Sequence, residues 1–112
     1  MRMHRLEDMK GGWFMGAFNP TALCTGAAEV AVKYYKAGNQ EAWHVHRIAT
    51  EVTVIVSGSV TMNGKHLGAG DIIVIEPGEG TDFQVLEDTI TVVAKVPSML
   101  GDKYLKNGDA PC

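Results

Sequence analysis

Glycine is spread along the whole chain and divides it into short runs that are rich in valine, isoleucine and threonine. Thirteen glycines occur among 112 residues, and the clearest runs between them are residues 51–57, Ile72–Ile75 and Thr89–Val96. β-Branched residues pack well on pleated surfaces, so short runs separated by glycine predict strands joined by tight turns. A chain of this kind is expected to fold as an all-β sandwich or barrel.

Two further segments extend this prediction. Residues 22–37 contain enough alanine and lysine for a helix, but the alternation within residues 29–36 and the glycines on either side favour a strand. Asn63 and Gly64 both tolerate positive φ, so they predict a two-residue hairpin turn. The length of the chain allows one domain, with a barrel core at about residues 12–97 and a tail at residues 98–112.

Charge and composition exclude several classes of partner. The formal net charge is −3 at pH 7, which gives no reason to expect nucleic acid or an anionic membrane as partner. The start of the sequence lacks the apolar stretch of a secretory signal, and the longest apolar runs are four or five residues. A cytoplasmic location is therefore expected.

The most informative residues for function are His44, His46 and Glu51. The two histidines are two residues apart, so on a strand both imidazoles project from the same face. Glu51 follows after a break at residues 47–50 and begins the next strand. Two imidazoles and one carboxylate in the same pocket make a facial set of metal ligands. An exposed polar face is the alternative, but Trp43 and the apolar run after Glu51 favour a half-buried site.

The spacing around these residues is that of a known motif. The segment reads Gly38, five residues, His44, one residue, His46, four residues, Glu51, six residues and Gly58. It resembles the first motif of the cupin superfamily without a departure. The resemblance implies a double-stranded β-helix, a jelly-roll-like barrel, that holds one divalent metal ion through the two histidines and the glutamate. Such ligands accept Fe, Mn, Ni, Zn or Cu.

Residues 70–81 resemble the second cupin motif only in part. Both motif glycines are in register, but Glu76 replaces the first proline, and Thr81 stands where the motif has a histidine as fourth ligand. Three protein ligands with open positions suit Fe(II) or a similar ion. Strand parity directs Thr81 and Phe83 towards the site, and Asp82 is the alternative if the register differs by one residue.

Other residues are candidates for the pocket wall or for proton transfer. We expect Tyr35, Trp43 and Phe83 to line the pocket. The candidates for a general acid or base are Tyr35, Asp82 and Lys103, and no catalytic residue is assigned. Lys103 belongs to the tail, which is expected either to be disordered or to fold over a barrel opening as a lid.

These observations lead to two hypotheses about function. The first is a metal-dependent enzyme that acts on a small polar molecule, of the oxygenase or the sugar isomerase/epimerase type. The second is a small-ligand binding or sensing module with a structural metal ion or none, which the absent second-motif histidine favours. A homodimer is also expected. Val52, Val54 and Val56 point outward and must be covered either by a strand at residues 13–18 or by a second copy of the chain.

Overall fold

The computed structural model describes residues 1–98, and strands account for most of them. Two 3-10 turns come first, at Leu6–Asp8 and Lys10–Gly12. The strands are β1 (Trp13–Gly16), β2 (Leu23–Cys24), β3 (Glu29–Tyr35), β4 (Gln40–Val45), β5 (Thr50–Ser57), β6 (Ser59–Met62), β7 (Lys65–Gly68), β8 (Ile72–Ile75), β9 (Gly80–Val85) and β10 (Thr89–Val96). The predicted all-β class is confirmed.

The strands form two sheets that enclose the core. The first sheet has the order β2-β1-β3-β10-β5-β8, and the second has the order β4-β9-β6-β7. All neighbours pair antiparallel except β1 and β2. Strands far apart in the sequence, such as β3 and β10, lie side by side in one sheet. Consecutive strands such as β3, β4 and β5 alternate between the two sheets. This is the predicted double-stranded β-helix.

The strands predicted from the sequence are confirmed with small changes at their ends. β8 and β10 have the predicted bounds, while β5 begins one residue earlier, at Thr50, and β3 ends one residue earlier, at Tyr35. Met62 pairs with Lys65 across the predicted hairpin turn, whose two residues have φ angles of 51° and 77°. Positive φ at both positions matches the right-handed twist of the paired strands, so the turn and the hairpin agree.

The barrel interior changes from polar to apolar along the strands. The inward residues of β5 are Glu51, Thr53 and Ile55 in that order, and Ile55 is fully buried. An apolar cluster fills the end near Ile55. It consists of Ile55, Val60, Met62, Ile75, Phe83 and Val85. The inward positions near Glu51 are polar, so the side chains that can bind a ligand lie at the Glu51 end of the barrel, opposite the apolar cluster.

The predicted outward face of β5 is present, and the N-terminal strand does not cover it. Val56 is 49% exposed, whereas the alternate residues of β5 are buried. β1 lies in the same sheet as β5, separated from it by β3 and β10, so the prediction of an N-terminal cover is wrong. The edge strand β8 adds Ile72 and Val74, which are 66% and 53% exposed. We call Val52, Val54, Val56, Ile72 and Val74 the outer apolar face.

Two hydrogen bonds fix Ser98, the last residue that the structure describes. The Oγ atom of buried Ser98 accepts a hydrogen bond from the backbone N of Ala17 at 3.0 Å, and the backbone N of Ser98 donates to the carbonyl of Gly26 at 3.0 Å. The predicted tail beyond Ser98, with its lid hypothesis and Lys103, lies outside the described residues. Within residues 1–98, no helix has the length and apolarity needed to span a membrane.

Candidate metal and ligand site

A β-bulge in β4 sets the direction of two side chains. The pairing of β4 with β9 joins Glu41 to Phe83 and His44 to Thr81, so three steps along β4 match two steps along β9. The extra residue puts Glu41 and His44 on the same side, and both line a cavity inside the barrel. In a regular strand, residues three apart would point to opposite faces.

The three predicted metal ligands lie close together at the polar end of the barrel. The ring centroids of His44 and His46 are 5.3 Å apart, and the rings meet edge to face. The Nε2 atom of His46 lies 3.7 Å from Oε1 of Glu51. His44 and Glu51 line the cavity, whereas His46 lines a neighbouring cleft. His44 lies in β4, His46 follows that strand directly, and Glu51 lies at the start of β5.

The inner nitrogen of His46 has an unmet hydrogen-bonding requirement. Its Nε2 atom is buried and has no hydrogen-bond partner within residues 1–98. The 3.7 Å to Glu51 is too long for a hydrogen bond. Burial lowers the pKa of His46, the charges of Lys95 and His44 lower it further, and Glu51 opposes these effects. The imidazole is therefore neutral at pH 7, which is the form that binds metal.

His44 is exposed, but its ring makes an orienting contact. Its Nδ1 atom lies 3.1 Å from the carbonyl oxygen of Ala42. Because a carbonyl oxygen only accepts, Nδ1 carries the proton in the neutral ring, and Nε2 keeps its lone pair. Metal-ligating histidines commonly have this arrangement. As the side chains stand, however, no three His, Cys, Asp or Glu residues of the described chain are grouped tightly enough to hold a metal ion.

The cavity beside these residues has a volume of about 240 Å³. Pockets for drug-sized ligands are roughly 300–1,000 Å³, so this cavity suits a smaller molecule. The apolar part of its lining comprises Trp13, Met62, Phe83 and Val93. The polar part comprises Lys33, Tyr35, Glu41, His44, Glu51, Thr53, Thr81, Thr91 and Lys95. The large polar share indicates a polar or charged ligand.

Solved structures with the same architecture identify the family. A conserved protein with a double-stranded β-helix domain from Klebsiella pneumoniae superposes on this chain with a TM-score of 0.62. The two sequences are 30% identical, and the match covers 69% of each chain. A cupin protein from Bacteroides fragilis matches at 25% identity and a TM-score of 0.55, over 69% of this chain and 73% of that chain. The chain belongs to the cupin superfamily.

A more distant likeness shows the fold alone. The oxalate decarboxylase of Bacillus subtilis, which has Mn(II) centres, superposes on this cupin with a TM-score of 0.60. The identity is 17%, and the match covers 70% of this chain and 23% of that chain. No protein-family model matches the sequence, and no curated protein matches it.

In this cupin, Thr81 and Asp82 have different surroundings. Thr81 is 8% exposed and lines the cavity. It is the cross-strand neighbour of His44. Asp82 is not part of the cavity lining, and its Oδ1 atom accepts a hydrogen bond of 2.7 Å from the backbone N of Asn63. The structure therefore places Thr81, and not Asp82, beside the candidate ligands.

Tyr35 and Phe83 lie in the cavity wall, with ring centroids 5.0 Å apart. The hydroxyl of Tyr35 donates a hydrogen bond of 3.2 Å to Oε1 of Glu41. Burial raises the pKa of Tyr35 well above its usual value, and the charge of Glu41, this hydrogen bond and the charge of Glu51 raise it further. The phenol therefore remains a hydrogen-bond donor throughout the neutral range.

Trp43, which was expected to line the pocket, lies outside it. Its side chain is 62% exposed, and its ring covers Gly80, where a Cβ atom would overlap the indole. Trp43 lies within the bulge of β4, so its direction does not follow from simple alternation along the strand.

Sequence reasoning did not single out Glu41, Lys33, Lys95 or Trp13 as cavity residues. The Nζ atoms of Lys33 and Lys95 lie 5.4 Å and 5.1 Å from the ring centroid of Trp13. Burial lowers the pKa of Lys33; Glu41 opposes this shift, and Lys95 adds to it. The alternation of β3 puts Lys33 on the same face as Tyr35, and this signal was available in the sequence.

Proposed function

We propose that this cupin binds one divalent metal ion through His44, His46 and Glu51 and acts on a small polar molecule held in the adjoining cavity. The observation that carries this proposal is the buried Nε2 atom of His46, which has no partner in the described chain and lies 3.7 Å from a carboxylate oxygen. A buried polar atom without a partner is costly, so such an atom indicates a missing ligand.

A cation bound between Nε2 of His46 and the carboxylate of Glu51 would satisfy both groups. If Nε2 of His46 has no proton, its lone pair faces the negative oxygen of Glu51, and a positive ion between them relieves the repulsion. With Nδ1 of His44 directed at the carbonyl of Ala42, its Nε2 atom keeps a lone pair available for a metal ion. Two imidazoles and a carboxylate accept Fe, Mn, Ni, Zn or Cu.

The remaining cavity residues support proton-transfer chemistry. A bound metal ion supplies Lewis acidity that polarises a carbonyl or hydroxyl oxygen. Glu41 adds a carboxylate to the cavity that can act as a general base, and Tyr35 holds it by a hydrogen bond of 3.2 Å. We therefore favour a reaction of the isomerase or epimerase type over an oxygenase, since an isomerase requires such a base.

The second candidate function is a binding or sensing module. It is favoured by the threonine at residue 81, where the second cupin motif has a histidine ligand. It is also favoured by the distances between the three candidate ligands, which are too long to hold a metal ion as the side chains stand in the described chain. A structural ion would not turn over a substrate. Metal-dependent conversion of a small hydroxy or keto acid that is lost in Glu41→Gln supports the enzyme. Metal binding without turnover across a substrate panel supports the module.

The metal proposal is tested by calorimetric titration of Mn²⁺ into protein stripped of metal. Mn²⁺ is a suitable probe because imidazole and carboxylate ligands accept it. The wild type is expected to bind about one ion, and His46→Ala is expected to bind at least about tenfold more weakly because it loses a ligand. His66→Ala is the matched control, since His66 is exposed on β7. Equal affinity of the wild type and His46→Ala contradicts the proposal.

We also propose that a second copy of the chain covers the outer apolar face. The edge strand β8 pairs only with β5 within the described residues, and its exposed Ile72 and Val74 continue the apolar surface of β5. An apolar edge strand is a site for pairing with another strand. Packing of two outer apolar faces against each other across a two-fold axis would bury both of them, whereas pairing of the two β8 edges alone would leave them exposed.

A further inference from the structure

The wall of the cavity formed by β3 and β10 carries two lysines, Lys33 and Lys95. In the strand register, Lys95 lies opposite Glu29 on β3 and opposite Glu51 on β5. Both side chains are half-buried, and both ammonium groups lie within 5.4 Å of the centre of the Trp13 ring. Two cations that share one aromatic ring in a cavity repel each other, so the arrangement favours an anion between them.

A buried hydroxyl in the same wall also lacks a partner. Thr91 lies opposite Lys33 in the register of β10 and β3, is 1% exposed and lines the cavity. Its Oγ1 atom has no hydrogen-bond partner among the described residues. By contrast, the hydroxyl of Thr89 donates to the carbonyl of Glu87 at 2.7 Å. Together with the two ammonium groups that line the same cavity, this hydroxyl gives the cavity three donor groups for an anionic ligand.

We propose that Lys33, Thr91 and Lys95 bind a carboxylate group of the molecule that the cavity holds. This inference names the substrate class of the site proposed above and rests on that proposed function only for the chemistry at the metal. Carboxylate oxygens accept hydrogen bonds from ammonium and hydroxyl groups, and charge-assisted hydrogen bonds are the stronger ones. The cavity volume of about 240 Å³ limits the molecule to a small acid.

The charges of the cavity agree with a carboxylate of low charge. Lys33 and Lys95 carry two positive charges, and Glu41 and Glu51 carry two negative charges, so these four side chains balance. A divalent ion would make the cavity positive by two charges, which one or two carboxylates neutralise. The lowered pKa of Lys33, caused by burial and by Lys95, is consistent with a site completed by an anion.

The test is calorimetric titration with malonate, a small dicarboxylate, into metal-free and Mn²⁺-loaded protein. Malonamide has the same skeleton without charge, and inorganic phosphate is the second anion. The wild type is expected to bind malonate, to bind phosphate more weakly, and to show no binding of malonamide. Phosphate that binds as tightly as malonate overturns the carboxylate assignment.

Two matched pairs of variants separate binding from folding. Thr91→Val is expected to weaken malonate binding about tenfold or more while leaving the melting temperature equal or higher, because it removes a buried hydroxyl that has no partner. Thr89→Val, which loses a satisfied hydroxyl outside the cavity, is expected to melt earlier and to bind malonate normally. Lys33→Met and Lys95→Met are expected to lose malonate binding, and exposed Lys65→Met is expected to keep it.

Fluorescence gives an independent readout of the same site. The chain has two tryptophans, so Trp43→Phe leaves Trp13 as the reporter inside the cavity. Malonate is expected to change the emission of Trp13 in this variant. Unchanged affinity for malonate in Thr91→Val and in both cavity lysine variants overturns the inference. Mn²⁺ binding without malonate binding refutes this inference alone, and malonate binding without Mn²⁺ binding refutes the metal proposal alone.

Discussion

In the antiparallel register of β4 and β9, His44 lies directly opposite Thr81. The hydroxyl of Thr81 donates a hydrogen bond of 2.7 Å to the carbonyl of Asp82, so it is turned towards its own backbone. The position where the second cupin motif has a histidine is therefore beside the candidate ligands, with a side chain that offers no strong ligand atom. Because Thr81 lies beside His44, a histidine introduced at residue 81 tests the fourth ligand position.

Thr81→His is expected to tighten metal binding. The new imidazole would stand beside His44 and add a ligand, which we expect to raise the affinity for Mn²⁺ or Zn²⁺ about tenfold, equivalent to ~1.4 kcal/mol. Competition with a metal chelator of known affinity measures the change. Asp82→His is the control, because Asp82 does not line the cavity and instead holds the backbone of Asn63. An equal gain in both variants contradicts the assigned strand register.

The pKa of Tyr35, raised mainly by burial and then by the charge of Glu41 and the hydrogen bond to it, predicts a pH dependence of stability. Below the usual tyrosine pKa of 10.0, the phenol is protonated in both the folded and the unfolded chain and has no effect on the slope. Above that pH, the unfolded chain loses the proton while the folded chain retains it, because the folded pKa of Tyr35 is raised. The free energy of unfolding therefore falls as the pH rises above 10.0.

Tyr35→Phe is expected to lose less stability than the wild type over this alkaline range. Urea unfolding at a series of pH values gives the slope for each protein. Lys33, whose pKa is lowered, contributes to both curves alike, so the difference between the slopes reports Tyr35. Tyr34→Phe is the matched control, since Tyr34 is 68% exposed. Parallel curves for the wild type and Tyr35→Phe would refute the raised pKa.

Gly58 is predicted to be far less replaceable than Gly38, although both have positive φ. The φ angles are 96° and 91°, but a Cβ atom at Gly58 would overlap Thr89 and the carbonyl of Asp88, whereas Gly38 faces open space. Gly58→Ala combines strain with a clash and should cost about 2–4 kcal/mol of unfolding free energy. Gly38→Ala should cost about 1–2 kcal/mol from strain alone. Chemical denaturation measures both, and similar costs would contradict the packing at β10.

Val74→Glu is expected to convert a dimer into a monomer. A charge within the outer apolar face cannot be buried against a second copy without a large desolvation cost. Light scattering after size-exclusion chromatography measures the mass. Leu86→Glu serves as control, because Leu86 is 51% exposed but lies outside this face. A wild type that is monomeric at high concentration contradicts the proposed homodimer.

Local patterns in the sequence were sufficient to predict most of the strands, but not β2. The runs of β5, β8 and β10 and the Asn63-Gly64 turn follow from β-branched composition and from backbone preferences, which are properties of neighbouring residues. Strand parity also predicted the inward direction of Thr81 and the outward direction of the β5 valines. These features depend only on the period of two along a strand.

Features that depend on pairing between distant strands were not predicted. Lys33 and Lys95 meet at Trp13 only because β3 lies between β1 and β10, an order that no local pattern reveals. The inward direction of Glu41 and the exposure of Trp43 result from the bulge opposite β9, which is visible only in the register of the two strands. The alternation of β3 already indicated that Lys33 points into the barrel, but it did not indicate that Trp13 and Lys95 lie beside it.

The central claim is that His44, His46 and Glu51 together hold one divalent ion, and the metal content of purified protein tests it most directly. Elemental analysis should be carried out on protein prepared without added metal, for the wild type, His46→Ala, Glu51→Gln and the control His66→Ala. The proposal predicts close to one ion per chain in the wild type and in His66→Ala, and almost none in the other two. Equal metal content in all four proteins, or a wild type that is empty and refuses added metal, would contradict it.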